Sequence, residues 1–148
     1  MTKSRVASRT RVIKAPAATI FEVLVDPAKH ALFDGSGSVV SAKSDAPQRL
    51  AKGSTFGMKM KVGAPYSIVN TVVEFEENRQ IAWRHFGGHV WRYVLEPVEG
   101  GDATKVTEAF DWSTSKSPRF IELMRYPAKN AKSIEKTLDR LAELVESR

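Results

Sequence analysis

No cysteine occurs anywhere in the chain. That absence removes disulfides, thiol nucleophiles and cysteine-ligated zinc together. Long apolar runs are missing as well: no stretch reaches the ~20 residues that a membrane-spanning helix needs. The opening MTKSRVASRTRVIKAP lacks the apolar core of a signal peptide. These features predict a cytoplasmic protein with no stable membrane insertion. There is no GxSxG elbow, Walker loop, dinucleotide fingerprint or HExxH helix, so no cofactor and no metal is expected. What remains is an ordinary globular mixture, 42% hydrophobic and 27% charged over 148 residues, enough for one domain spanning 1–148 with a sizeable core.

Acid is missing from the first fourteen residues, which hold Lys3, Arg5, Arg9, Arg11 and Lys14. They carry five of the six net positive charges, so the rest of the chain is close to neutral. Arg5, Arg9 and Arg11 share odd parity and therefore one face of a strand. A solvated outer face is the preferred reading, with a docking surface for a partner as the alternative. No recognition helix, zinc spacing or RNP-like aromatic strand accompanies the arginines, so nucleic acid is not an expected partner.

The chain ends in its most strongly patterned element, Ser117 to Arg148. Ser117 precedes Pro118 as a helix start. Ala131, Ile134, Leu138, Leu141 and Val145 then recur every three or four residues and form one apolar stripe. Pro127 lies inside this pattern and predicts a break after Tyr126. Phe120, Ile121, Leu123 and Met124 would then form a separate segment over a cavity entrance, with the part beyond Ala128 structural.

Upstream, residues 5–13 alternate, with Val6, Ser8, Thr10 and Val12 on the inner face of a half-buried strand. Pro16 opens a helix through Ile20, Phe21, Leu24 and Val25, and Asp26 caps a short second helix from Pro27 to about Phe33. His30 on that helix reads as a solvated residue. Asp34–Ser38 is a loop, or a lid hinge. From Val39 the period becomes two. Six strands follow, at Val39–Ala42, Ser54–Val62, Tyr66–Glu76, around Ile81–His85, His89–Leu95 and Lys105–Trp112, separated by short turns. In the third of these, Val69, Thr71, Val73 and Phe75 point inward, and Asn70 and Glu74 outward. One strand, two helices, six strands and a long helix make an α+β domain, with an antiparallel meander of seven strands and the helix on one face.

Several stretches resemble the START/Bet v 1-like (SRPBCC) superfamily, in its bacterial polyketide cyclase/dehydrase-like branch. They are Val12-Ile13-Lys14-Ala15-Pro16-Ala17 with Ile20-Phe21-Glu22-Val23-Leu24 and Asp26-Pro27; Val73-Glu74-Phe75-Glu76 with Ile81-Ala82-Trp83-Arg84; Trp91-Arg92-Tyr93-Val94-Leu95-Glu96-Pro97; and Gly101 with Thr104-Lys105-Val106-Thr107. The resemblance covers essentially the whole chain. It implies the helix-grip fold, a curved sheet wrapped around the C-terminal helix, with a cavity between them for a hydrophobic or amphipathic small molecule such as a lipid or polyketide. Two departures restrict it. The region Asp45–Gly53 holds one glycine where plant members have a glycine-rich loop, which argues against a plant-type role. Leu32-Phe33-Asp34 stands where relatives of Hsp90 co-chaperones often carry tryptophan.

Strand parity places Phe56, Met58, Met60, Val73, Phe75, Trp83, His85, His89, Trp91, Tyr93, Glu108, Phe110 and Trp112 on the inner face. Large aromatic and flexible side chains suit a small-molecule cavity. The expected ligand-binding set is Phe56, Met58, Phe75, Trp83, Trp91, Tyr93, Phe110, Phe120 and Met124. His85, His89, Tyr93 and Glu108 are the polar exceptions. Buried, they must pair with each other, with water or with a ligand. A histidine beside a glutamate can serve as a general base, which makes these four the candidate catalytic groups of a cyclase or dehydrase. A structural or ligand-orienting hydrogen-bond set is the preferred reading of the four, with catalysis as the alternative. The expected partner is a hydrophobic small molecule, and the protein a monomer or homodimer.

Overall fold

The computed structural model describes residues 4–146, the side chain of Glu99 excepted. Lys3 of the basic cluster and the end of the expected helix at Arg148 lie outside the described residues. The order is β1 Val6–Ile13, α1 Ala17–Leu24, a 3-10 turn Pro27–Lys29 leading into α2 His30–Phe33, β2 Val39–Ala42, β3 Thr55–Val62, β4 Ala64–Glu76, β5 Gln80–His85, β6 Val90–Val98, a 3-10 turn Glu99–Gly101, β7 Ala103–Asp111, α3 Pro118–Leu123 and α4 Tyr126–Glu146. All seven strands join one curved antiparallel sheet in the order β1-β7-β6-β5-β4-β3-β2. The meander from β2 to β7 needs only hairpins. Between β3 and β4, Gly63, at φ +73°, turns one strand directly into the next with Val62 opposite Ala64. β1 closes the far edge against β7, from Val6 opposite Asp111 to Ile13 opposite Thr104. With α4 across one face, this is the α+β helix-grip arrangement that the sequence predicts.

α4 is held by its stripe. Ala131, Ile134, Leu138, Leu141, Ala142 and Val145 are buried, with Thr137 as the one polar member. Each large aliphatic side chain stabilises by about 1.5–3 kcal/mol relative to exposure. The break before α4 falls slightly earlier than predicted. Arg125 adopts φ +58°, and Pro127 occupies the first turn of α4, where a missing N–H costs nothing. Ser117 precedes α3, but its side chain makes no capping bond. At the other short helix the predicted cap forms: the Asp26 carboxylate accepts the Ala28 N–H at 3.0 Å.

Two face assignments are corrected. In β1 the arginines lie on the helix side of the strand, where they pair with the helices while remaining partly exposed. Arg5 bonds Glu122 of α3 at 3.2 Å, Arg9 bonds Glu135 of α4 at 3.0 Å, and Arg11 pairs with Asp139. Val6 and Val12, expected inside, are 43% and 51% exposed. The odd face is correct because Ile13 is fully buried and Ala7 packs on the core, while the arginines meet the charged flank of α4. The basic face is therefore already partnered within the chain.

In β4 the inner residues are Ile68, Asn70 and Val72, not Val69, Thr71 and Val73. Val69 is 50% exposed, whereas Asn70 is buried. Val72 pairs with Trp83 and Glu74 with Ala82, so Val73 is an extra residue in a bulge. A bulge reverses the parity of everything beyond it. Phe75, on the far side, keeps its inward position against Phe21, with ring centroids 5.5 Å apart.

Candidate functional site

α4 packs chiefly on β1 and β7, at one side of the sheet. The inner faces of β3, β4 and β5 are roofed instead by α2 and the Asp34–Ser38 loop. Between roof and floor lies a cavity of about 180 Å³. Met58, Met60 and Ile68 form one side. Trp83, Trp91 and Tyr93 form the floor. Phe33 and Ile134 close it from the helices. The loop is fastened to α4 at Gly35, whose N–H donates to the Thr137 hydroxyl at 2.8 Å. A side chain there would meet the Ser133 carbonyl oxygen at 2.3 Å, so only glycine lets the loop approach this closely. The Arg140 guanidinium also donates to the Asp34 carbonyl.

Several buried or half-buried polar side chains open on this space, among them Glu108, Tyr93, His30, Asn70, His85 and Asp34. Glu108 of β7 is 4% exposed, and among the described residues its Oε1 has no hydrogen-bond partner. Its carboxyl shares a hydrogen bond with the Tyr93 hydroxyl on the neighbouring strand, where Tyr93 stands opposite it. Burial pushes Glu108 up to about 8. Repulsion from Asp34 adds to that rise, and the Tyr93 bond opposes it. The Tyr93 hydroxyl is likewise raised, by burial first and Glu108 second.

His30 is 5% exposed, stacked on Trp83 at 4.8 Å and hydrogen-bonded through Nε2 to the Leu24 carbonyl at 2.9 Å. A carbonyl only accepts, so Nε2 carries the proton. Burial lowers the ring to about 4, which keeps it neutral and leaves Nδ1 as an acceptor. Asn70 is 5% exposed and also lines the cavity. His85 sits at the rim. Its Nδ1 accepts the Gly87 N–H at 3.0 Å, so the neutral ring presents Nε2–H, and burial lowers its basicity. Asp34 also lines the cavity, but its carboxylate is occupied by the Ser36, Gly37 and Val39 N–H groups and the Ser36 hydroxyl.

Three of the four candidate catalytic residues, His85, Tyr93 and Glu108, thus line one cavity. His89 does not: it stacks on His85 at 4.4 Å and packs against Phe110 at 5.3 Å, away from the lining. Of the expected ligand-binding set, Met58, Trp83, Trp91 and Tyr93 line the cavity. Phe56 supports it from behind His30 and Trp83, Phe75 packs on Phe21, and Phe110 lies between Trp91 and Trp112. Phe120 and Met124 on α3 are 55% and 41% exposed and take no part in the lining. The helix segment that does is the one expected to be structural, through Asn130, Ser133, Ile134 and Thr137.

Sequence reasoning missed His30, Asn70 and these α4 positions. His30 had a readable signal, since Phe33 lies one turn further along the same helix face. Asn130, Ser133 and Thr137 recur at helical spacing beside Ile134, a polar margin to the stripe. Asn70 had none, because the β4 bulge leaves no mark in the residue pattern.

Comparison with known proteins agrees with this architecture. Residues 4–146 match the model of the family described as polyketide cyclase/dehydrase and lipid transport. The uncharacterised protein Rv0088 of Mycobacterium tuberculosis is 36% identical over 141 residues, 92% of this chain. The chain spans 62% of the length of that curated relative. Among solved structures, the polyketide-cyclase-like protein Cgl2372 of Corynebacterium glutamicum is similar with a TM-score of 0.68 at 22% identity, covering 99% of this chain and 94% of that one. Protein NE0264 of Nitrosomonas europaea is similar with a TM-score of 0.73 at 16% identity, covering 99% and 97%. At those identities the two structures speak to the fold alone. With the family model matched along nearly its full length, the chain belongs to the polyketide cyclase/dehydrase and lipid transport family of the START/Bet v 1-like superfamily.

Proposed function

We propose that the protein binds a hydrophobic or amphipathic small molecule in the cavity between the sheet and α4. One observation carries this reading: an aromatic-floored space of about 180 Å³ holds a buried carboxyl oxygen with no partner among the described residues. An unpaired buried acceptor costs about 1–3 kcal/mol, a cost that a ligand's polar group can remove. Family membership supports hydrophobic ligand binding as a class. The cavity draws on α2, α4 and every strand from β2 to β7, so the reading takes the chain as one binding unit. Native mass spectrometry of protein from its own host tests it: a retained small molecule is expected. Absence of retained ligand, together with no binding of apolar probes, overturns it.

A second reading, cyclisation or dehydration of a polyketide-like substrate, is favoured by a different observation. Glu108 holds its proton near neutral pH beside Tyr93, in a cavity that His85 also lines, and a protonated group at a binding cavity is what a general acid needs. Incubation with a poly-β-ketone thioester, followed by mass spectrometry, should show loss of water or ring closure that disappears in Glu108→Gln. Unchanged substrate with the native protein removes this reading and leaves the first intact.

A further inference from the structure

We infer that the cavity selects an uncharged compound of one or two rings bearing a hydroxyl group, and rejects lipids headed by carboxylate or phosphate. This inference rests on the binding reading above. In a chain of net charge +6, not one lysine or arginine among the described residues lines the cavity. Among the described residues its ionisable lining consists of two carboxyls, Asp34 and Glu108, two histidines, His30 and His85, that burial keeps neutral, and the Tyr93 hydroxyl, which burial keeps protonated. An anionic head would therefore be desolvated beside carboxyl groups with no cation to pair it, which is strongly unfavourable. A fatty acid or phospholipid head needs the opposite lining.

A hydroxyl, by contrast, both donates and accepts. It satisfies Glu108 Oε1 whether the carboxyl is ionised or protonated. Asn70 of β4 and His30 of α2, which also line the cavity, offer the second half of such a pair. The dimensions set the scale of the ligand. A dry cavity of about 150 Å³ accommodates benzene, and drug-sized ligands occupy about 300–1,000 Å³. At about 180 Å³ the space matches one substituted ring or a compact pair. Trp83, Trp91 and Tyr93 give that ring flat surfaces to stack on.

Three probes of nearly equal size separate the possibilities: 4-ethylphenol, ethylbenzene and 4-methylbenzoate, titrated at pH 7 with tryptophan fluorescence, since two of the three tryptophans line the cavity. The hydroxyl is expected to bind about tenfold more tightly than the hydrocarbon, as one net hydrogen bond to a buried polar group implies. The carboxylate is expected to show no saturable binding. In Glu108→Leu the ratio of hydroxyl to hydrocarbon affinity should fall to about one. Equal affinity of 4-ethylphenol and ethylbenzene for the native protein, or 4-methylbenzoate binding as tightly as the phenol, overturns the selectivity while leaving the cavity reading standing. Failure of all three to bind overturns both. The native probe series decides the matter even where Glu108→Leu does not fold.

Discussion

Replacing Glu108 with glutamine keeps the shape of the side chain and removes its titration, which gives the buried carboxyl a direct thermodynamic signature. In the folded protein this group is raised from 4.5 to about 8, mainly by burial. Between those values the folded state holds a proton that the unfolded chain has released. Stability changes with pH in proportion to the protons bound by the unfolded state minus those bound by the folded state. Here that difference is negative, so the contribution of Glu108 falls as pH rises from about 4.5 and levels off near 8. At 1.36 kcal/mol per pH unit, the loss is about 2 kcal/mol at pH 6, about 3 kcal/mol at pH 7 and up to about 5 kcal/mol above pH 8.

Other groups bend the same curve the opposite way. His30 and His89 are lowered to about 4, largely by burial. A depressed histidine is neutral in the folded state while the unfolded chain takes up a proton below about 6.5, so stability falls on acidification from 6.5 toward 4. Glu74 and Asp111 act in the same direction. Arg92, on the outer face of β6 at 2.7 and 3.3 Å from them, helps to hold both below the usual carboxylate range. The native protein should therefore be most stable near pH 6.5. The difference between native protein and Glu108→Gln cancels the histidines, Glu74 and Asp111 and isolates the alkaline limb. Urea unfolding followed by tryptophan fluorescence, at steps from pH 4.5 to 9, measures it. Glu108→Gln should gain on the native protein by several kcal/mol between pH 5 and 8. A flat difference across that range would mean that Glu108 ionises normally and that the cavity is wet at its floor.

Gly35→Ala drives a methyl group into the Ser133 carbonyl and the Thr137 amide nitrogen of α4, backbone atoms that cannot rotate away. It should cost about 1–3 kcal/mol and weaken probe binding, as urea midpoints and fluorescence titrations will show. Thr137→Val removes the hydroxyl that accepts the Gly35 N–H and should lower stability by about 1–2 kcal/mol in the same denaturation assay, with the loop amides exchanging faster with deuterium. Arg9→Ala breaks an exposed ion pair with Glu135 and should change stability by less than about 1 kcal/mol, a difference that vanishes in thermal melts at 1 M salt. His30→Ala empties the space against Trp83 and orphans the Leu24 carbonyl; a loss of about 2–4 kcal/mol is expected from equilibrium unfolding, with room for a larger ring in the cavity.

Period-two strands and one period-3.6 helix made the architecture readable, because each periodicity reports a buried face directly. Inner faces were readable where pairing runs unbroken. β5 with β6 and β6 with β7 hold register along their length, and there Trp83, His85, Tyr93 and Glu108 all lie inward as parity predicts. β4 fails at the point where its ladder shifts, between Val72 and Glu74. A bulge relieves sheet curvature, and curvature belongs to the whole sheet rather than to any short run of residues.

The β1 arginines fail for a related reason. Parity sorts residues into two faces, but it does not say whether the face toward the helix meets its apolar stripe or its charged flank. Here Ile13 meets the stripe, and Arg9 and Arg11 meet the flank. That edge contact also accounts for the cavity. With α4 drawn toward β1 and β7 by this flank and by its own stripe, the inner side chains of β3, β4 and β5 are left to a four-residue helix and a loop anchored at Gly35. The ionic seam at one edge of the sheet and the cavity at the other thus follow from a single choice, the lateral position of α4.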